Sequence, residues 1–149
     1  HISLREGDRI NYGDRKIAIL SPNKKNLQSK ELNDGCLVLQ IIEKNLEALY
    51  MCDAGANIEL ELMKKYSLRA DILKVGHHGS RFSSSKELLA AVSPSVATIE
   101  VGKNKYGHPT KQTLERLEAA GAEIFRTDRD KTIKIIREGD AIKVFKIKG

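Results

Sequence analysis

Three residues whose side chains can bind a metal or move a proton stand directly after hydrophobic runs. Asp53 follows Leu46–Cys52, and His77 and His78 follow Ala70–Val75. Ligands of open α/β sheets gather at the carboxyl ends of strands, so two such ends bearing three donors predict a site. A carboxylate can bridge two divalent ions, and neutral imidazole suits zinc or manganese. Gly76 and Gly79 bracket the histidines and free the backbone to turn sharply beside a ligand. Ser80 is placed to hydrogen-bond a phosphate or to orient a histidine. His108, ahead of Pro109, is a further candidate at a loop-to-helix entry. Each has a plainer reading: an aspartate after a strand is commonly a turn or cap residue, and a glycine-flanked histidine pair can be structural. Ser83-Ser84-Ser85 reads as helix-capping chemistry, and nothing has the form of a nucleophile elbow, which argues against a Ser/His/Asp relay.

The elements that must position these residues follow from periodicity. Arg15–Leu20 alternates and ends at Ser21-Pro22-Asn23, a strand and a turn. Asn23–Gly35 is polar and reads as a surface loop. Cys36–Ile42 and Leu46–Cys52, separated by Glu43-Lys44-Asn45, predict an antiparallel hairpin buried on both faces. Ile58, Leu62, Met63 and Tyr66 share one helical face. Ala70–Val75 and Val96–Val101 are strands. Between them, Ser84-Ser85-Lys86-Glu87 has capping-box form and opens a helix that Pro94 ends. Thr110 caps a helix carrying Leu114 and Leu117, closed by Gly121. Ala122–Arg126, Thr132–Ile136 and Ala141–Ile147 are three terminal strands. Direct strand pairs at both ends, with strand–helix alternation between, predict an α/β chain with a mixed sheet.

The 149 residues suit one domain, and 26 Lys+Arg against 20 Asp+Glu give a net charge of +6, which permits a polyanionic partner without demanding one. Aromatics are 5% and Trp is absent, which argues against a base-stacking platform. No apolar run is long enough for a membrane span. Cys36 and Cys52 read as small buried hydrophobes, and a reducing, cytoplasmic-type setting is the default. The chain opens with His1 instead of Met, which raises the expectation of a processed chain or a piece of something longer.

Ala70-Asp71-Ile72-Leu73-Lys74-Val75-Gly76-His77-His78-Gly79-Ser80, with Asp53 upstream and Tyr106-Gly107-His108-Pro109 downstream, resembles the metallo-β-lactamase-fold hydrolase domain of ComEC-type competence proteins. The likeness covers nearly the whole chain. Gly7-Asp8, Leu20-Ser21-Pro22, Asn33 with Leu37-Val38-Leu39, Val101-Gly102-Lys103-Asn104 and Arg126-Thr127-Asp128 fall in the same order.

This resemblance implies the second half of an αββα sandwich, a mixed sheet with helices on one face, in a soluble domain of a membrane-associated competence protein. It implies a hydrolase cleaving phosphodiester bonds of DNA, or related esters, with water activated by zinc or manganese. Asp53 stands at the metal-bridging aspartate and His77-His78 at the late histidine ligand, with His77 preferred as nearer the strand. His108 stands at the pocket rim as a substrate contact. The family's His-x-His-x-Asp-His signature is absent from the chain, Cys52 replaces a glycine and Cys36 a serine. Residues 1–149 are therefore expected to be the C-terminal half of the domain, an apolar sheet face waiting for the missing half or a second copy. As given, the chain is expected to bind zinc or manganese weakly and to turn over no phosphodiester. The alternatives are a metal-less homologue binding nucleic acid through its basic face and an interaction module.

Overall fold

The computed structural model describes residues 3–147, so His1 lies outside the described residues. Strands β1 (Arg9–Tyr12), β2 (Arg15–Ser21), β3 (Val38–Glu43), β4 (Leu46–Tyr50), β5 (Ile72–Lys74), β6 (Val96–Ile99) and β7 (Glu123–Arg126) form one seven-stranded sheet in chain order. The pairs from β1 to β4 are antiparallel, and those from β4 to β7 are parallel. The mixed α/β architecture expected from the pattern is the one observed.

The parallel half needs crossovers, and these are α1 to α3 in the order they occur between β4 and β7: α1 (Ala56–Lys65), α2 (Lys86–Val92) and α3 (Lys111–Ala119). Because strand order advances steadily in one direction, right-handed crossovers place all three helices on the same side. Leu49, Leu73, Val75, Ala97 and Ile99 turn to that side and pack with Ile58, Leu62, Leu88, Leu89, Val92 and Leu117. A leucine buried in this layer contributes about 1.5–3 kcal/mol.

The period-2 neighbours Ala48, Ile72, Val96 and Phe125 turn to the other face. There the sequence-based expectation is corrected. This stretch of the face is covered by the chain itself, through an antiparallel hairpin of β8 (Thr132–Glu138) and β9 (Ala141–Ile147). Ile133, Ile135, Ile142 and Val144 supply its inner side. The hairpin is a second, two-stranded sheet, so its strands extend the stack and not the main sheet.

Other expectations also shift. Asn23–Gly35 contains a short helical turn, Lys24–Leu27, because Asn23 and Asn26 cap each other's backbone amides. β1 carried no visible signal because all four of its residues are exposed. The cap of α2 is Ser85, whose hydroxyl accepts the Leu88 amide, and Ser84 precedes it in a left-handed conformation at φ 54°. Cys36 and Cys52 lie just outside β3 and β4 and are half-buried, not core residues. The antiparallel register that sets Leu39 opposite Tyr50 brings these flanking segments side by side.

Polar ties hold the hairpin in place. Arg137 Nη1 donates to the Asn45 carbonyl at 2.6 Å and lies 4.0 Å from Asp71. Lys146 pairs with Asp130 at 2.8 Å, and Asp130 also accepts the Arg126 amide. The Lys146 ammonium, with that amide, holds the Asp130 carboxyl below the usual carboxylate range. A depressed carboxyl adds stability above its unfolded pKa and loses it as pH falls through the lower folded value. Lys146→Met is therefore expected to raise the Asp130 pKa in a carbon-detected NMR titration. It should also lower the melting temperature at pH 6–7 but not near pH 2. An unmoved Asp130 titration would refute this tie.

Candidate functional site

The parallel register sets Tyr50 beside Lys74 and Lys74 beside Thr98, so the chain leaves β4, β5 and β6 along one edge of the sheet. Asp53, His77-His78 and Glu100 follow these strand ends. Backbone bonds continue the register past the strands. Val75 N–H donates to the Thr98 carbonyl at 2.9 Å, and His77 N–H donates to the Cys52 carbonyl at 2.8 Å.

His77, His78 and Gly79 then run through three successive left-handed conformations, at φ 49°, 54° and 83°. Cys52, beside Asp53, is left-handed too, at φ 49°. Each non-glycine residue in this region costs about 1–2 kcal/mol, and such strain is concentrated at functional positions. The turn persists because its surroundings fix it. Ser83 Oγ donates to the Gly76 carbonyl at 2.9 Å, and the Thr110 amide donates to the Gly79 carbonyl at 2.9 Å. Gly76 is packed so closely that a Cβ would lie 3.3 Å from the Ala54 carbonyl oxygen and from Met51.

The turn aims the two imidazoles differently. His78 Nδ1 lies 2.6 Å from the Glu100 carbonyl and so donates to it, leaving Nε2 as the acceptor nitrogen. That Nε2 lies 3.8 Å from Asp53 Oδ1. His77, the residue preferred from its place in the sequence, instead meets His108 edge to face, with ring centroids 5.6 Å apart. His108 is in turn stacked by Tyr106 at 5.9 Å. Its loop is fixed by Asn104, whose side chain accepts the His108 amide and donates to the His108 carbonyl. Burial, then the neighbouring His77 and His78, hold His108 below the ordinary imidazole range, and Asp53 opposes them. Asp53, His77, His78 and His108 thus converge. Ser80 does not join them: it is buried, and its hydroxyl accepts the Phe82 amide at 3.3 Å.

Several residues that build the site were not singled out in the sequence. Arg116 of α3 donates to the carbonyls of Ser83 and Ser84, both at 2.8 Å, and so clamps the segment after the histidine turn. Glu59 of α1 is fully buried and accepts the amides of Ser84 at 2.5 Å and Ser85 at 3.0 Å. A signal for Glu59 existed: it lies three and four residues before Leu62 and Met63, inside the apolar stripe. Beneath Asp53, burial and then the Cys52 thiol push the Cys36 thiol up to about 12, so it stays protonated at neutral pH.

The donors suit a divalent ion in kind. Asp53 offers a carboxylate, and His78 offers Nε2 while its Nδ1 is anchored on the Glu100 carbonyl, as metal-bound histidines are. They fall short in number. Among the described residues no group of three or more His, Cys, Asp or Glu side chains is arranged to hold a metal ion, whereas a catalytic zinc takes three protein ligands. These residues alone do not fit a closed zinc or manganese site. Among the described residues, too, no helix is long and apolar enough to cross a membrane.

No family model matches the chain. Over 133 residues, 88% of its length, it is 33% identical to ComE operon protein 3 of Bacillus subtilis, of which it covers 17%. It is 37% identical over 99 residues to competence protein ComA of Neisseria gonorrhoeae, covering 64% of this chain and 14% of that protein. With recombination protein 2 of Haemophilus influenzae the identity is 35% over 100 residues, 66% of this chain and 12% of that protein. The chain is homologous to a segment of these ComEC-type competence proteins and spans less than a fifth of the length of each.

Proposed function

We propose, from homology to a segment of ComEC-type competence proteins, that the chain serves DNA uptake as the C-terminal half of a metallo-β-lactamase-fold hydrolytic domain. Its substrate in this reading is the phosphodiester bond of DNA. The observation that supports it most is the facing of Asp53 and His78 at 3.8 Å on the carboxyl edge of parallel strands, held there by strained backbone.

In this reading Asp53 and His78 supply part of a zinc or manganese shell, and the other donors come from the N-terminal half of the domain or a second copy. The chain's own contribution is orientation. The Glu100 carbonyl fixes the His78 tautomer, and the Cys52 carbonyl fixes the turn that carries it. His108, its pKa held below the ordinary imidazole range, offers a rim N–H that can donate a hydrogen bond to a phosphate oxygen. Ser80, buried in the turn, supports the loop instead of touching substrate.

The test is made on the full-length protein that carries this chain, with a labelled linear DNA as substrate. Asp53→Ala and His78→Ala are each expected to abolish hydrolysis while leaving the thermal melt within a few degrees of the parent. Undiminished cleavage by both variants would refute the hydrolytic reading. A second reading, a binding module without catalysis, is favoured by the net charge of +6. It predicts DNA binding that weakens steeply with salt and is indifferent to chelators and to Asp53→Ala.

A further inference from the structure

The chain has only seven aromatic residues other than histidine, yet two of the most exposed stand on loops that touch the Asp53–histidine cluster. Tyr106 is 71% exposed and Phe82 is 65% exposed. Neither placement is accidental to the site. Tyr106 stacks on His108, which meets His77, so its ring prolongs the row of imidazoles outward. Phe82 is anchored by its carbonyl, which accepts the Ala56 amide at 3.1 Å, directly after the Asp53-Ala54-Gly55 turn.

Each ring also carries its own cation. The Arg81 guanidinium lies 4.7 Å from the Phe82 centroid, and Lys105 Nζ lies 5.7 Å from that of Tyr106. Lys103 adds a third exposed cation on the Tyr106 loop. The Asp53 carboxylate lies in the cluster itself, 3.8 Å from His78, and the positive charge of Arg81 and Lys105 sits with the rings on the surrounding loops. A cation held over an exposed ring is a favourable pair that presents a planar face and a positive charge together, the two features that a base and its phosphate engage. Duplex DNA hides its base faces inside the stack, and a single strand exposes them.

We propose that Phe82 and Tyr106 are base-stacking positions that seat unpaired DNA bases on either loop of the cluster, with Arg81, Lys103 and Lys105 on the adjoining phosphates. This rests on the reading of the chain as a DNA-processing module and deepens it: the preferred ligand is a single strand, and these rings set that preference. The low aromatic content argued against such a platform in the sequence. What matters is where two rings stand, and their exposure is visible only in the fold.

The test is fluorescence anisotropy on the full chain at one low salt concentration with three probes of equal length: an oligothymidylate, an abasic strand and a duplex. The unaltered chain is expected to prefer oligothymidylate to both others. Phe82→Ala and Tyr106→Ala should each weaken oligothymidylate about tenfold and leave the abasic strand within about twofold. Tyr106→Phe, which keeps the ring, should retain affinity. Equal losses on the abasic strand, or no loss on either, would overturn the stacking role while leaving DNA binding in place. Failure of the unaltered chain to bind any of the three probes would overturn the nucleic-acid reading itself, and this inference with it.

Discussion

Gly79→Ala is expected to unfold the histidine turn and to lower the stability of the chain by about 3 kcal/mol. Two independent effects add. Gly79 holds φ at 83°, a conformation that costs an alanine about 1–2 kcal/mol. A Cβ there would also lie 2.5 Å from Pro109 Cβ and 3.0 Å from its Cα, a clash with ring and backbone that no side-chain rotation relieves. Overpacking of this kind costs about 1–3 kcal/mol. Relief requires the His77–Gly79 turn and the His108-Pro109 segment to separate, which parts His77 from His108. Denaturant unfolding measures the stability, and chemical shifts of the His108 ring measure the separation. Gly102→Ala is the control, since a Cβ there meets nothing within 4 Å. Equal stability of the two variants would show that the close approach to Pro109 does not hold the turn.

Glu59→Ala is expected to cost more, about 3–5 kcal/mol. The carboxylate is the partner of two successive backbone amides, Ser84 and Ser85, at the entry to α2. Hydrogen bonds to a charged group contribute about 1.5–3 kcal/mol each, and removing the acceptor leaves the donors without partners in a place water reaches poorly. Glu59→Gln distinguishes charge from shape. It fills the same volume but points an amide N–H₂ at one of the two donors, so it should recover less than half of the loss. Thermal melts of the three proteins decide this, and near-native stability of Glu59→Gln would mean that the charge is dispensable. Because Ser83 and Arg116 bind the same stretch, loss of Glu59 should also loosen the histidine turn.

Much of the architecture was legible because it rests on local pattern. The apolar runs of β4, β5 and β6 mark strands covered on both faces, and in the fold Leu49, Leu73 and Ala97 meet the helices while Ala48, Ile72 and Val96 meet the hairpin. The Thr110 cap and the Gly121 stop of α3 are local chemistry and stand where expected. What stayed hidden depends on tertiary contact. Nothing in β8 and β9 says whether they extend the sheet or fold over it, since both options bury the same alternate residues. In the site, Asp53 and the histidine pair could be placed on one edge from strand ends alone. Which imidazole faces Asp53 could not, because two adjacent left-handed residues reverse the order that an extended chain would give. Glu59, Ser83 and Arg116 act on backbone groups distant in sequence, and no motif records such partners.

The agreement between strand order and chain order has a kinetic consequence. Every strand from β2 to β7 finds its first neighbour in the strand that immediately precedes it in sequence. Closing each pair requires only the segment between consecutive strands, the longest antiparallel one running from Ser21 to Val38 and the parallel ones carrying a single α-helix each, so no strand must wait for a distant partner. During synthesis the sheet can therefore grow by accretion from its amino-terminal edge as the chain emerges. The Asp53–His78 contact depends on β5, its Glu100 anchor on β6, and the His108 rim on the loop beyond. The cluster is thus assembled in stages on a scaffold already in place, and the covering hairpin docks last.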